Sequence, residues 1–182
     1  MKSKTAAVFL LAFFCVIVSA PALEVTKLSA AAASASPDKV IVFSGALEVK
    51  GISFQKNAVV MPVTEYKGRT YADIKLLSKG LYGKIEACLS KGVCKNAPGA
   101  VPKINVAGVK TLRSKTRVAN VEAVFDGELL VTAGVMNSSR EPGELWIAWP
   151  EIFKIKNAAL KTETEQLIKE AYVKTLKNPR KK

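Results

Sequence analysis

Cys88 and Cys94, six residues apart, carry the most versatile side chains of this 182-residue chain. In an oxidising compartment they can close a short disulfide loop, which contributes on the order of 2 kcal/mol in the chain-entropy model. As free thiols, Cys88 would pack on a helix and Cys94 would lie in a loop. A zinc site is not expected, because the sequence has no His and no second cysteine pair to complete four ligands. The missing His also removes the commonest general base. Ser44 and the other serines fall in turns or loops without a base beside them, and no G-x-x-x-x-G-K-[ST] phosphate loop occurs. Asp73, Glu86, Glu163 and Glu165 lie on or beside predicted helices among lysines, where solvated ion pairs account for them. The expectation is a protein that is not an enzyme and needs no cofactor, metal or small-molecule substrate.

What remains is charge and packing. The chain has 28 Lys and Arg against 15 Asp and Glu, a net charge of +13. That balance favours anionic partners: nucleic acid, an anionic wall polymer or lipid headgroups. Solubility alone is the plainer reading. Lys174, Lys177, Arg180, Lys181 and Lys182 make a basic tail that adds sequence-independent attraction to polyanions. Trp146 and Trp149 are three apart on a predicted strand and so point to opposite faces. One is expected in the core, the other as a stacking platform or a subunit contact.

The elements that must carry these residues begin after residue 22. Lys2 and Lys4 precede an apolar run from Ala6 to Ala20, followed by Ala20-Pro21-Ala22. A cationic start, a short apolar stretch and an A-x-A pattern describe a secretory signal peptide, cleaved after Ala22. An uncleaved N-terminal anchor is the alternative. Cys15 sits inside the apolar run behind Phe13 and Phe14, unlike a lipoprotein cysteine.

The mature chain reads as a repeat. Val42-Phe-Ser-Gly-Ala-Leu-Glu-Val49 matches Val124-Phe-Asp-Gly-Glu-Leu-Leu-Val131 at an offset of 82, each a strand, an x-Gly turn and a returning strand. Ala58 to Pro62 matches Leu145 to Pro150, with the prolines 88 apart. Leu77, Ile85 and Cys88 match Leu160, Ile168 and Ala171 at an offset of 83 on a closing helix. The first copy is expected to have strands near 24–30, 39–43, 46–54 and 57–61, a ribbon over 63–73 turning at Lys67-Gly68, and a helix over 74–90. The second is expected to have strands near 104–112, 117–125, 128–136 and 144–149. Its helix opens at the capping-box spacing Thr162-x-x-Glu165 and ends near Leu176. A linker over 90–103 separates them. A core of that size is marginal alone, so the copies are expected to cover each other's sheet edges.

Ile104 to Lys110, Arg117 to Val131 and Gly143 to Pro150 resemble, in order, the pattern of the SpoVG family, stage V sporulation protein G or septation regulator. The first copy adds Leu23-Glu-Val-Thr-Lys27, Met61-Pro62 and Arg69-Thr-Tyr-Ala-Asp-Ile74. The resemblance implies an α+β fold: two tandem SpoVG-like modules, 23–90 and 104–176, each an antiparallel sheet with a C-terminal helix. They would pack as an intramolecular pseudo-dimer, with a basic tail at 177–182. It implies DNA or RNA binding, or binding of another anionic polymer, with a link to septation and cell-division regulation. Carried over by position, the binding residues would be Lys75, Lys79, Lys84, Lys154, Lys156, Lys161 and Lys169, with Lys75 and Lys79 sharing a helical face one turn from Tyr82. Family members are typically cytoplasmic single copies, whereas this chain is duplicated and carries an export signal. The second copy also lacks the Arg-x-Tyr-x-Asp-Ile segment. Export raises the alternative of an extracytoplasmic interaction module, directed at an envelope polymer, a membrane surface or a division protein.

Overall fold

The computed structural model describes residues 22–30, 39–95, 99–141 and 143–177. Of the expected signal peptide (1–22), the residues through Pro21, and of the expected tail (177–182), the residues from Asn178, lie outside the described residues. Four two-residue turns organise the strands: Ser44-Gly45, Lys56-Asn57, Lys67-Gly68 and Asp126-Gly127 have positive φ at both positions. Type I′ hairpins require that pair, because its twist matches the twist of the flanking strands.

The first half runs β1 (Val25–Ala30), β2 (Lys39–Phe43), β3 (Leu47–Gln55) and β4 (Ala58–Val60). A ribbon follows, β5 (Thr64–Tyr66) and β6 (Arg69–Tyr71), then β7 (Ile74–Leu76) and helix α1 (Lys79–Lys91). The second half runs β8 (Ile104–Thr111), β9 (Arg117–Phe125), β10 (Leu129–Asn137), β11 (Leu145–Ala148), β12 (Phe153–Ile155) and α2 (Ala158–Lys177). The fold is α+β with antiparallel sheets and two helices.

The two main sheets each borrow a strand. β1, β2, β3 and β4 form a meander, and β12 from the second half pairs with β3. β8 to β11 form the other meander, and β7 from the first half pairs with β10. The exchange has matched register. Ile74 lies opposite Val131, and Phe153 lies opposite Val49. The borrowed residues are 79 apart and their partners 82 apart. The same increments relate the flanking bonds. Leu77 N–H donates to Glu128 O and Lys156 N–H to Ala46 O, both at 2.7 Å. Thr132 N–H donates to Asp73 O at 2.7 Å and Lys50 N–H to Ile152 O at 2.8 Å.

Strands of three residues have no stability of their own, so packing must hold them. Ile74, Phe153 and Ile155 are buried in one continuous core that draws on both sheets and both helices. The Phe153 ring lies 5.7 Å from that of Phe125 and 5.3 Å from that of Trp149, tying a strand of the first sheet to the second.

The helices start at equivalent caps. Ser78 Oγ accepts from Leu81 N–H at 3.2 Å, and Asn157 Oδ1 accepts from Leu160 N–H at 2.9 Å, each supplying an acceptor to an orphan donor of the first turn. The buried faces follow: Leu81, Ile85 and Leu89 in α1, and Leu160, Thr164 and Ile168 in α2, again 79 apart. The sequence offset of 83 is therefore one helical turn out. A slip of four residues leaves an apolar stripe on the same face, so periodicity cannot detect it. Two further expectations are corrected. Ile74 belongs to β7, and Leu77 is half exposed ahead of the helix, so α1 begins at Lys79 and not near 74. Thr162 is no cap: it lies inside α2, where its hydroxyl donates to Ala158 O at 3.1 Å.

Candidate polyanion-binding surface

The seven lysines carried over by position do not form one helical surface. Lys75 is on β7, opposite Leu130, and Lys154 is on β12, opposite Glu48. Both are exposed and occupy equivalent places on the two borrowed strands. Because α1 starts at Lys79, Lys75 and Lys79 share no helical face, which corrects that expectation. Tyr82 is half-buried, and its hydroxyl accepts the Val59 N–H at 3.0 Å, so it pins β4 to the helix.

Four others have acidic partners or lie against their own helix. Lys84 donates to Leu23 O at 2.8 Å and to Glu24 Oε1 at 3.1 Å. Lys156 reaches Glu48 at 3.7 Å and Lys161 reaches Glu165 at 3.9 Å. Lys169 is half-buried along α2, in line with Gln166, Glu170 and Val173. The exposed members with no acidic partner among the described residues are Lys75, Lys79 and Lys154. Lys79 occupies the first turn of α1, where the helix dipole disfavours a cation, so helix stability does not explain its charge.

The ribbon carries the chemistry that the lysine pattern does not. Thr64 pairs with Tyr71 and Tyr66 with Arg69. Opposed residues share a face and alternate residues return to it, so Thr64, Tyr66, Arg69 and Tyr71 all stand on one side. Glu65 and Thr70 take the other. Lys67 Nζ lies 5.4 Å from the centroid of the Tyr66 ring, a cation–π distance. Tyr66 is 61% and Tyr71 41% exposed, so neither ring is spent on the core. Two open rings with Arg69 and Lys67 among them suit stacking against planar groups on an anionic chain. The alternation around Lys67-Gly68 was the available sequence signal for this face.

The two tryptophans divide. Trp149 packs on Phe153, and its Nε1–H donates to Glu165 Oε1 at 3.2 Å. Trp146 is 48% exposed and pairs with Met136, which in turn lies opposite Arg117. These three make a row across β11, β10 and β9 on the sheet face away from the α2 core. The Arg117 side chain lies across Gly134, where a Cβ would stand 2.8 Å from Nε, and Nε donates to Asn120 Oδ1 at 2.8 Å.

Cys88, buried on α1, and Cys94, two residues past the C-cap Gly92, are joined by a disulfide, with Cα atoms 4.7 Å apart. Asp126, on the β9–β10 turn, accepts the Lys103 N–H at 2.8 Å. Burial pushes its carboxyl above the ordinary value of 3.8, against the Lys103 hydrogen bond and with help from the neighbouring Glu128 charge. Among the described residues, no group of three His, Cys, Asp or Glu could hold a metal ion. No helix among the described residues is long and apolar enough to cross a membrane. Compared with protein-family models, with curated proteins and with solved structures, the chain matches none.

Proposed function

We propose that this chain is a non-enzymatic, SpoVG-like protein that binds nucleic acid or another anionic polymer. Its two tandem modules pack as an intramolecular pseudo-dimer and lend each other a strand. The matched register of β7 on β10 and β12 on β3 supports the pseudo-dimer. The observation that carries the binding function is the ribbon face of Tyr66, Arg69 and Tyr71, with Lys67 over Tyr66. Lys75, Lys79 and Lys154 add phosphate contacts without base readout. The family link would place the activity in septation or cell-division regulation.

The test is binding of the chain from Leu23 onward to labelled single-stranded and duplex oligonucleotides across a salt series. Affinity should fall linearly on a log–log plot, with a slope near −0.7 per phosphate contacted on single strands. Tyr66→Ala and Tyr71→Ala should each weaken single-strand binding by roughly 5- to 100-fold, the range for a lost stacking contact. They should leave thermal stability near wild type. No binding at low salt would sink this reading.

A second reading is an extracytoplasmic interaction module aimed at an envelope polymer, a membrane surface or a division protein. The disulfide favours it, because such bonds persist in oxidising compartments. The exposed Trp146–Met136–Arg117 row offers residue types that anchor protein interfaces. Fractionation that finds the native protein uncleaved in the cytoplasm would remove this reading.

A further inference from the structure

Leu23 is fully buried, and its backbone N–H donates to Glu128 Oε2 at 2.7 Å. Several polar groups beside it are also engaged. Lys84 Nζ donates to Leu23 O at 2.8 Å. Ser44 N–H donates to Glu24 O at 2.7 Å, and Glu24 N–H donates to Ser44 Oγ at 3.2 Å. The Glu24 carboxylate contacts Lys84 at 3.1 Å and Lys95 at 3.6 Å, so those two cations share an anion other than Glu128. Glu128 comes from the other half of the molecule, on the β9–β10 turn. Its second oxygen points at the first turn of α1, 3.9 Å from where a Cβ on Gly80 would stand, an end of the helix that favours negative charge.

A carboxylate is more than a neutral peptide N–H needs. The equivalent place in the second half shows the contrast. Seventy-nine residues on from Leu23 is Pro102, which has no N–H, and 82 residues before Glu128 is Ala46, which has no side-chain acceptor. The neighbouring contacts are kept there: Asp126 N–H donates to Lys103 O at 2.9 Å and Lys103 N–H to Asp126 Oδ1 at 2.8 Å. So the donor–carboxylate pair is absent where the chain runs straight through. It is present immediately after Ala20-Pro21-Ala22, where the sequence pattern places cleavage.

We propose that Glu128 is the receiving site for a new N-terminus, the α-ammonium of Leu23 made by cleavage after Ala22. Hydrolysis consumes one water, leaves Ala22 as a carboxylate on the released peptide, and leaves the Leu23 nitrogen as a protonated amine. At the same place the neutral N–H becomes a cation, and the contact becomes a charge-assisted hydrogen bond between the two halves. An ammonium in that buried setting needs an anion beside it, and Glu128 supplies one. The site is independent of what the basic surface binds.

N-terminal sequencing of the exported protein should return Leu23; another first residue overturns the proposal. A double-mutant cycle then compares chains that start at Leu23 or at Pro21, each with Glu128 or Glu128→Gln. The substitution should lower Tm by about 3–6 °C in the chain starting at Leu23, as expected when a charged contact is lost in a domain this size, and by less than half of that in the longer chain. Equal shifts overturn it. Should Glu128→Gln fail to fold, acylation of the Leu23 amine in the unmutated protein decides. It should run at least about tenfold slower in the folded than in the urea-unfolded chain, the effect of one unit of raised amine pKa. Equal rates overturn the pairing.

Discussion

From Pro62 the first half runs out through an exposed ribbon before it reaches β7, while from Pro150 the second half reaches β12 after Glu151 and Ile152 alone. Both routes deliver the next strand to the same register on the opposite sheet, and both then cap a helix, at Ser78 and at Asn157. The borrowed strand and the cap are held by the core, where packing leaves no freedom. The path between Pro and strand faces solvent and can change without disturbing them. The half with the long path has two open tyrosines on it, and the half with the short path has none. Binding chemistry is therefore expected to be one-sided, although the scaffold is two-sided.

The sharpest way to break this comparison is to empty the two equivalent core positions. Phe153→Ala should cost about 3–5 kcal/mol and Ile74→Ala about 2–5 kcal/mol, the range for buried large-to-small changes. Both should lower the urea midpoint of a single transition. Two separated transitions in either variant would mean that the halves fold independently and that the exchanged strands are decoration. Phe153 should be the costlier, because it is the larger side chain and its ring packs on Phe125 and Trp149.

The helices differ in a second way. α1 has 13 residues and is tied through Cys88 to Cys94 just beyond its end, whereas α2 has 20 residues and no cross-link. Reduction should destabilise the protein by on the order of 2 kcal/mol. In hydrogen exchange, amides of α1 and of the segment through Lys95 should lose protection ahead of those of α2. Equal loss in both helices would show that the bridge supports the whole core and not the shorter helix.

What the sequence disclosed depends on how local the physics is. The turns at Ser44-Gly45, Lys67-Gly68 and Asp126-Gly127 were legible because positive φ is a demand on one or two residues. The eight meander strands, β1–β4 and β8–β11, were legible from short apolar runs and the turn and loop residues between them. β7 and β12 were not, since their partners lie more than fifty residues away and three residues set no period. Ile74 then read as the first turn of the helix that follows it. The ion pairs of Lys84 with Glu24 and of Lys156 with Glu48 join different elements, so no position on a helix wheel reveals them. The ribbon face was legible in outline, but exposure of Tyr66 and Tyr71 is a property of the whole fold.

The smallest effect separates the two hairpin tips, Ser44 and Asp126, which occupy equivalent turn positions at φ 49° and 48°. Asp126 is an acid whose folded carboxyl titrates above the ordinary value of 3.8 because burial penalises its charge. Below that value Asp126 is protonated whether folded or unfolded, and folding bears no penalty. As pH rises through the raised folded value, the unfolded chain releases its proton first, and stability contributed by the neutral form is lost. Asp126→Asn keeps the Lys103 acceptor, tolerates the left-handed backbone and has no charge to lose. It should match wild type near pH 3 and exceed it at neutral pH by less than about 0.5 kcal/mol, since solvent still screens a half-buried group. Ser44→Asn should differ from wild type by the same amount at every pH. A gap between Asp126→Asn and wild type that is flat, or that widens toward acid, would mean that the Lys103 hydrogen bond outweighs burial at the second tip.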